Sequence, residues 1–359
     1  MSFETRTLLS PDMLRRLLPD LGEWKENGLR DLRIAVLGFG KMGIMHSAIM
    51  NLLKPSSVKA VVDKSRLVHF GASRIVKDIK FYTDLDKMLA REEPDVVYVT
   101  TPTASHRLLL LKLIAHGVKY VFVEKPPTVN LKELREISSI SKKDQVIMVG
   151  LQKRFALPFR HARMLLSDRI IGDIQTVCAS TRSGDIISQT TRFNSLSRGV
   201  LLDLGIHLID LLTWLFDVET VVRAEYGSIY TKVDDYFNAE LLAKDGVRIR
   251  LDVTWSDPAY RIPETCIEVH GSLGTLRVSE DHLVVEMSSK EKPRLAMYKP
   301  HYYQGIPPVN IADPEYVLEN MHFLSSIYQS KQPLVSLQEA SRAMGLVDEL
   351  YERGSTYND

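Results

Sequence analysis

Two short stretches of this chain set residues of proton-moving type at spacings that chemistry could use. In the first, the apolar run Tyr120-Val121-Phe122-Val123 is followed at once by Glu124 and Lys125, and then by Pro126 and Pro127. The prolines deny Lys125 the helical region and stiffen the chain beyond it, so a charged pair is presented at a strand end in fixed geometry. The same two residues also fit a plain strand-end ion pair. In the second stretch, "GVLLDLGIHLIDLLTWLF", Asp203, His207 and Asp210 recur at i, i+4 and i+7 and share a helix face with Gly199 and Trp214. A solvated stripe would favour Lys, Glu and Arg, yet the surrounding positions are Leu, Ile and Val. A carboxylate one turn from an imidazole on an apolar helix suits proton transfer in a cleft. A buried hydrogen-bonding stripe is the competing reading.

A third stretch would hold a dinucleotide. "RIAVLGFGKMGIMHSAIM" carries Gly38-x-Gly40-x-x-Gly43 between an expected strand and an expected helix, and Asp63 ends the next strand, "KAVVD". Gly38 permits a tight turn, Gly40 a close approach to a pyrophosphate, and Gly43 close helix–strand packing. Phe39, Lys41 and Met42 complete the turn, and the helix amino terminus offers N–H groups and a favourable dipole to phosphates. Asp63 suits the adenosine ribose, which points to NAD. Lys64 and Arg66 could instead grip a 2′-phosphate or be merely solvated, so NADP stays open. Thr101 and Pro102, in "TTPTASH", follow a further strand and fall at the expected cofactor crevice. His106 is either a helix-end residue or lies at the cofactor edge. Glu124 and Lys125 belong beside the same crevice.

The elements that must position these residues alternate. Strands are expected at Arg33–Gly38, Val58–Val62, Val96–Thr100, Val118–Val123 and Gln145–Val149, with helices near 42–53, 84–91, 105–116 and 131–140. That is the pattern of a helix-wrapped parallel sheet. After Gly150 a helix near 158–167, a strand near 174–182 and the Asp203–His207 helix lead into consecutive strands from about 220 to 287. These suggest mostly antiparallel meanders and a sheet with one uncovered, apolar face available for association. Two helices near 314–330 and 336–352 close the chain. The expected domains are therefore a helical extension over 1–30, an α/β domain over 31–150, and a second domain over 151–359 that includes the closing helices. The 46 basic and 45 acidic residues leave a net charge of +1, which gives no footprint for nucleic acid or membrane. Two cysteines, Cys178 and Cys266, and no signal-peptide pattern at the amino terminus suggest a cytoplasmic protein without a structural metal.

Gly38–Gly43, Glu124-Lys125-Pro126 and Asp203-x-x-x-His207, in this order, resemble the glucose–fructose oxidoreductase / inositol dehydrogenase (Gfo/Idh/MocA) family from about Asp31 onward. The resemblance implies an amino-terminal Rossmann domain and a carboxyl-terminal α/β domain whose open, mostly antiparallel mixed sheet forms a homodimer or homotetramer. It also implies NAD(P)-dependent oxidoreduction of a sugar, polyol or related hydroxyl compound, with no metal. On this chain Lys125 matches the family's active-site lysine, Asp203 its substrate-binding acid and His207 its proton-transferring histidine, while Arg154 would contact substrate. Two departures, Arg198 in "SRGVLLD" and Thr103 after Thr101-Pro102, bear on the substrate. Rival readings are a catalytically silent NAD(P)-binding regulator, or a reductase of a sugar nucleotide, imine or enone.

Overall fold

Short runs rich in β-branched residues become the strands of a buried sheet. In the computed structural model, which describes residues 16, 32–54, 56–65, 68, 70, 78–184, 196–260, 262–289, 294–297 and 314–356, β1 (Ile34–Leu37) is buried at every position. It leads into α1 (Lys41–Leu53), and the chain continues through β2 (Val58–Val62), β3 (Lys80–Tyr82), α2 (Leu85–Glu92) and β4 (Val96–Val99). Then come α3 (His106–Ala115), β5 (Tyr120–Glu124), α4 (Leu131–Ile140) and β6 (Val146–Gly150). Side chains start two of these helices: Asp84 accepts the Lys87 N–H and Asn130 accepts the Glu133 N–H, both at 2.9 Å. The six strands pair in parallel in the order β3-β2-β1-β4-β5-β6. A parallel sheet needs crossover helices and is covered on both faces, hence the unbroken apolar runs of β1 and β4. All carboxyl ends then lie along one edge, and the strand order reverses between β1 and β4, where ligands of such sheets bind.

The rest of the chain runs through α5 (Leu157–Ser167), β7 (Ile174–Arg182), a π-helical turn (Leu201–Gly205) and α6 (Ile206–Leu215). There follow β8 (Val218–Gly227), β9 (Tyr236–Ala243), β10 (Arg248–Thr254), β11 (Glu264–Gly271), β12 (Gly274–Ser279), β13 (His282–Met287) and β14 (Arg294–Met297). Two helices, α7 (Pro314–Gln329) and α8 (Leu337–Arg353), and β15 (Gly354–Thr356) close the described chain. Nine strands form a mixed sheet, β14-β13-β12-β11-β7-β10-β9-β8-β15, in which only the β7–β10 and β8–β15 pairs are parallel. No helix among the described residues is long and apolar enough to cross a membrane.

Two expectations need correction. The second domain does not take in both closing helices. One compact unit comprises Asp20–Gln152 with Tyr303–Ser341, and the other Met1–Pro19, Lys153–Tyr302 and Arg342–Asp359. The reason is chemical. Phe323 on α7 meets Tyr98 of β4 and Phe122 of β5 edge-on at 5.8 and 5.7 Å, and Asn320 accepts the Tyr98 hydroxyl at 2.9 Å. The Val149 N–H of β6 also donates to the carbonyl of Val335 at 2.9 Å. Nor is the open face of the nine-stranded sheet apolar. Alternate residues of its strands project Arg182, Asp252, Arg223, Glu240 and Arg277 there, with ion pairs at 3.2 Å (Arg182–Asp252) and 3.3 Å (Arg223–Glu240). Of the expected helical extension over 1–30, all but Arg16 lies outside the described residues.

The Asn320 contact predicts that Asn320→Ala destabilises the first unit by about 1–3 kcal/mol, since buried Tyr98 and His46 each lose a hydrogen-bond partner. Urea denaturation measures this.

Candidate active site

The glycine turn has the shape of a phosphate cradle. Gly38 sits at φ +86°, where an L side chain is strained, and a Cβ on Gly43 would lie 2.0 Å from the Gly38 carbonyl oxygen. Around Gly40 a Cβ would meet nothing within 4 Å, so the space a pyrophosphate needs is open. The helix starts at Gly40 with no side-chain cap and no acid in its first turn, which leaves its N–H groups and dipole to an anion. Lys41 is exposed and Met42 half-buried. Asp63, at the end of β2, accepts the N–H of Phe39 and the N–H of Ser65, each at 2.8 Å. These two bonds fix the carboxylate beside the turn, as ribose binding requires. Lys64 is exposed, and Arg66 lies outside the described residues.

The turn after β4 closes the other side of the reversal point. The Thr100 hydroxyl donates to the Gly38 carbonyl oxygen at 2.7 Å, and the Ser105 hydroxyl donates to the Thr101 hydroxyl oxygen at 2.7 Å. Pro102 is exposed and Thr103 opens a single 3₁₀ turn. His106, expected at a helix end or the cofactor edge, begins α3 but is fully buried. Its two nitrogens face the carbonyls of Pro126 (2.9 Å) and Thr101 (2.7 Å), so it braces one turn against the other. Burial lowers its pKa, opposed by the two carbonyls.

At the end of β5 the Glu124–Lys125 pair separates. Lys125 is half-buried at the carboxyl edge, on the same rim as the glycine turn and the Thr101–Pro102 turn, and its peptide bond to Pro126 is cis. Glu124, expected at the cofactor, is 7% exposed and turned inward: its Oε1 lies 2.8 Å from Nε2 of His46. The interior offers it a hydrogen bond that the apolar wall would otherwise deny a buried carboxylate. His46 lies outside the site residues expected from the sequence, although a histidine three residues past Gly43 on a mostly apolar helix was a visible signal.

The second unit carries the other candidates. Asp203 lies on the π-helical turn and is half-buried, while His207 opens α6 at 5% exposure. Single π turns recur at functional sites. The turn is anchored by Asp234, which lies outside the site residues expected from the sequence. Asp234 accepts the N–H of Gly199 at 2.8 Å, the N–H of Leu201 at 3.1 Å and the Tyr351 hydroxyl at 3.0 Å, and its own carbonyl accepts the Val200 N–H at 2.8 Å. A Cβ at Gly199 would lie 2.1 Å from that carbonyl, so the glycine admits the contact. Burial raises the Asp234 pKa against these donors, and it raises that of Tyr351 well above the tyrosine range. The acidic doublet before the Tyr236–Ala243 strand was the available hint.

Asp210 and Arg154 are not presented to a substrate. Both side chains are 1% exposed and form a two-pronged ion pair at 2.7 and 2.8 Å, with the guanidinium 5.8 Å from the Trp214 ring centre. The expected substrate contact of Arg154 is therefore replaced by a buried structural pair, and Asp210 leaves the shared functional face. Arg198 is drawn to Asp348 and lies 4.7 Å over the Tyr351 ring, so it braces the segment before the π turn.

The profile described as "Oxidoreductase family, NAD-binding Rossmann fold" matches residues 32–151, and the Gfo/Idh/MocA carboxyl-terminal domain profile matches residues 159–277. The chain belongs to the Gfo/Idh/MocA family. It is 26% identical over 295 residues to a D-apiose dehydrogenase of Paraburkholderia graminis, covering 79% of this chain and 75% of that protein. Against the scyllo-inositol 2-dehydrogenase (NAD(+)) of Bacillus subtilis, identity is 26% over 320 residues, with 85% and 89% covered. In fold it resembles an oxidoreductase from Agrobacterium radiobacter solved with NAD+, L-tartaric acid and magnesium, at a TM-score of 0.81, 22% identity, and 90% and 96% coverage. This Gfo/Idh/MocA member is thus an oxidoreductase with an NAD-binding Rossmann domain.

The contacts in this family member set the expected outcomes of three substitutions. Gly43→Ala forces the glycine turn apart, so it lowers the melting temperature and abolishes NADH binding. Gly40→Ala leaves the melting temperature unchanged and weakens NADH binding about tenfold, roughly 1.4 kcal/mol. Thermal melts and fluorescence titration with NADH separate the two. Arg154→Met strands Asp210 in the interior and costs about 3–5 kcal/mol of stability in urea denaturation.

Proposed function

We propose that this protein is an NAD-dependent dehydrogenase acting on a secondary hydroxyl of a sugar, polyol or related compound. The observation that carries the proposal is the placing of Lys125 on the same carboxyl edge of the parallel sheet as the open turn at Gly40 and the anchored Asp63. The names of the family members lend support, since they include dehydrogenases of apiose and of inositol. NAD, when bound, supplies the hydride acceptor. The Gly38–Gly43 turn holds its pyrophosphate and Asp63 its ribose hydroxyls, with a carboxylate that disfavours a 2′-phosphate.

In the oxidative direction His207 takes the proton of the reacting hydroxyl, a step that as general base catalysis is worth roughly 10²–10⁴-fold. Lys125 donates a hydrogen bond to the same oxygen and stabilises the alkoxide character it gains as the carbon loses hydride. Asp203 orients neighbouring substrate hydroxyls. Asp234 acts at one remove, by fixing the turn that carries Asp203. The reading extends to a cytoplasmic homodimer or homotetramer joined through the charged face of the nine-stranded sheet.

A screen of inositols, pentoses and anhydrosugars with NAD+, followed by NADH absorbance, tests the activity; no turnover of any hydroxyl substrate counts against it. Titration of NADH and NADPH tests the Asp63 assignment: tighter binding of the 2′-phosphorylated form contradicts it. Association through a charged face weakens as salt shortens the Debye length. Sedimentation should therefore show an oligomer at low salt, and a monomer at every salt concentration is the contrary outcome.

A further inference from the structure

His46 belongs to α1, the helix that opens at the glycine turn, and its ring is fully buried. It is packed 4.8 Å from the Phe122 ring and 5.4 Å from that of Tyr98. Its Nδ1 lies 3.0 Å from the Asn320 amide nitrogen and 3.2 Å from the amide oxygen, and its Nε2 lies 2.8 Å from Glu124 Oε1. If Nδ1 accepts from the amide, Nε2 carries the ring proton; if Nδ1 donates, a second proton sits on Nε2 or on Glu124. In either case a proton occupies the Nε2–Oε1 bond. The other carboxylate oxygen, Oε2, accepts the backbone N–H of Lys125 at 3.2 Å. One buried carboxylate is thus held on one side by the cofactor helix and on the other by the amide of the lysine itself.

A packing role alone would be met by an apolar residue, as Val121 and Val123 meet it on the same strand, without the cost of burying a carboxylate. Among the described residues, Glu124 is the hydrogen-bond partner of Nε2. We propose that His46 and Glu124 form a positioning pair for Lys125, locking the end of β5 to α1 so that the ammonium stands at a fixed place relative to the glycine turn. This inference rests on the reading of Lys125 as the donor to the reacting oxygen.

The test is a double-mutant cycle on the full-length protein, with Glu124→Gln, Lys125→Met and the double variant. Turnover is measured with scyllo-inositol, or whichever screened hydroxyl compound yields NADH, and cofactor affinity with NADH itself. Glu124→Gln keeps the size of the side chain, but its amide group can serve only one of the two N–H donors as an acceptor. It is expected to lower kcat roughly 10–100-fold, the scale of a small misplacement of a reacting group. KM and NADH affinity should stay within about threefold. In the Lys125→Met background the same change should cost under about twofold, because no ammonium remains to be misplaced. Equal fractional losses in both backgrounds would overturn the inference alone, whereas full activity of Lys125→Met would overturn the functional reading beneath it. A signature independent of substrate is the carbon-13 resonance of the Lys125 ε-carbon in NADH-saturated protein. It should shift in Glu124→Gln, and an unmoved resonance counts against the pair. His46→Gln is the second variant and should repeat the pattern; if neither variant folds, the pair is structural and the inference fails.

Discussion

Everything placed at the rim of the first unit depends on six parallel strands ending on the same edge. That constraint brings together residues from separate parts of the chain: Gly38 after β1, Asp63 after β2, Thr101 after β4 and Lys125 after β5. None of them needs a long-range interaction of its own to reach the rim. What each needs is local: a glycine where the backbone turns at positive φ, a proline where the strand must stop, and a carboxylate tied down by backbone N–H groups. The tightest of these contacts is at Gly43, where the helix comes so near the Gly38 carbonyl that no side chain fits.

Buried polar groups then do most of the bracing. Tyr98, His46, Asn320 and Glu124 form one chain of hydrogen bonds in the first unit, and Arg154 with Asp210 and Asp234 with Tyr351 form compact pairs in the second. A buried polar group that lost its partner would cost as much as a substantial share of a domain's stability, so such groups lock their neighbours into one arrangement. The same logic explains why three residues that look like site residues in the sequence, Glu124, His106 and Arg154, have buried side chains held by partners.

The sequence reveals periodicity and turn chemistry well. The parallel strands, the glycine turn, the run of consecutive strands from about 220 to 287 and the two closing helices all stand within a few residues of where the residue patterns put them. What it hides is the partner of a polar side chain. Asn320 meets Tyr98 across 222 positions, and Arg154 meets Asp210 across 56, distances over which local patterns carry no information. For the same reason α7 looked like part of the second domain. The short β3 was missed because Lys80–Tyr82 has too few residues to show a period. The apolar face expected of the second sheet proved charged, because alternation along a strand predicts which side is buried and not what the other side carries.

The central proposal is that Lys125 and His207 serve one reacting hydroxyl. The most direct test is a turnover cycle of Lys125→Met, His207→Ala and the double variant, with NADH affinity measured alongside. The account predicts that Lys125→Met lowers turnover by about 10²–10³-fold, the scale of one lost transition-state donor. It also predicts that NADH affinity moves less than about tenfold and that the double variant loses much less than the product of the single losses. Fully multiplicative losses, or a Lys125→Met protein that turns over at the wild-type rate, would contradict it.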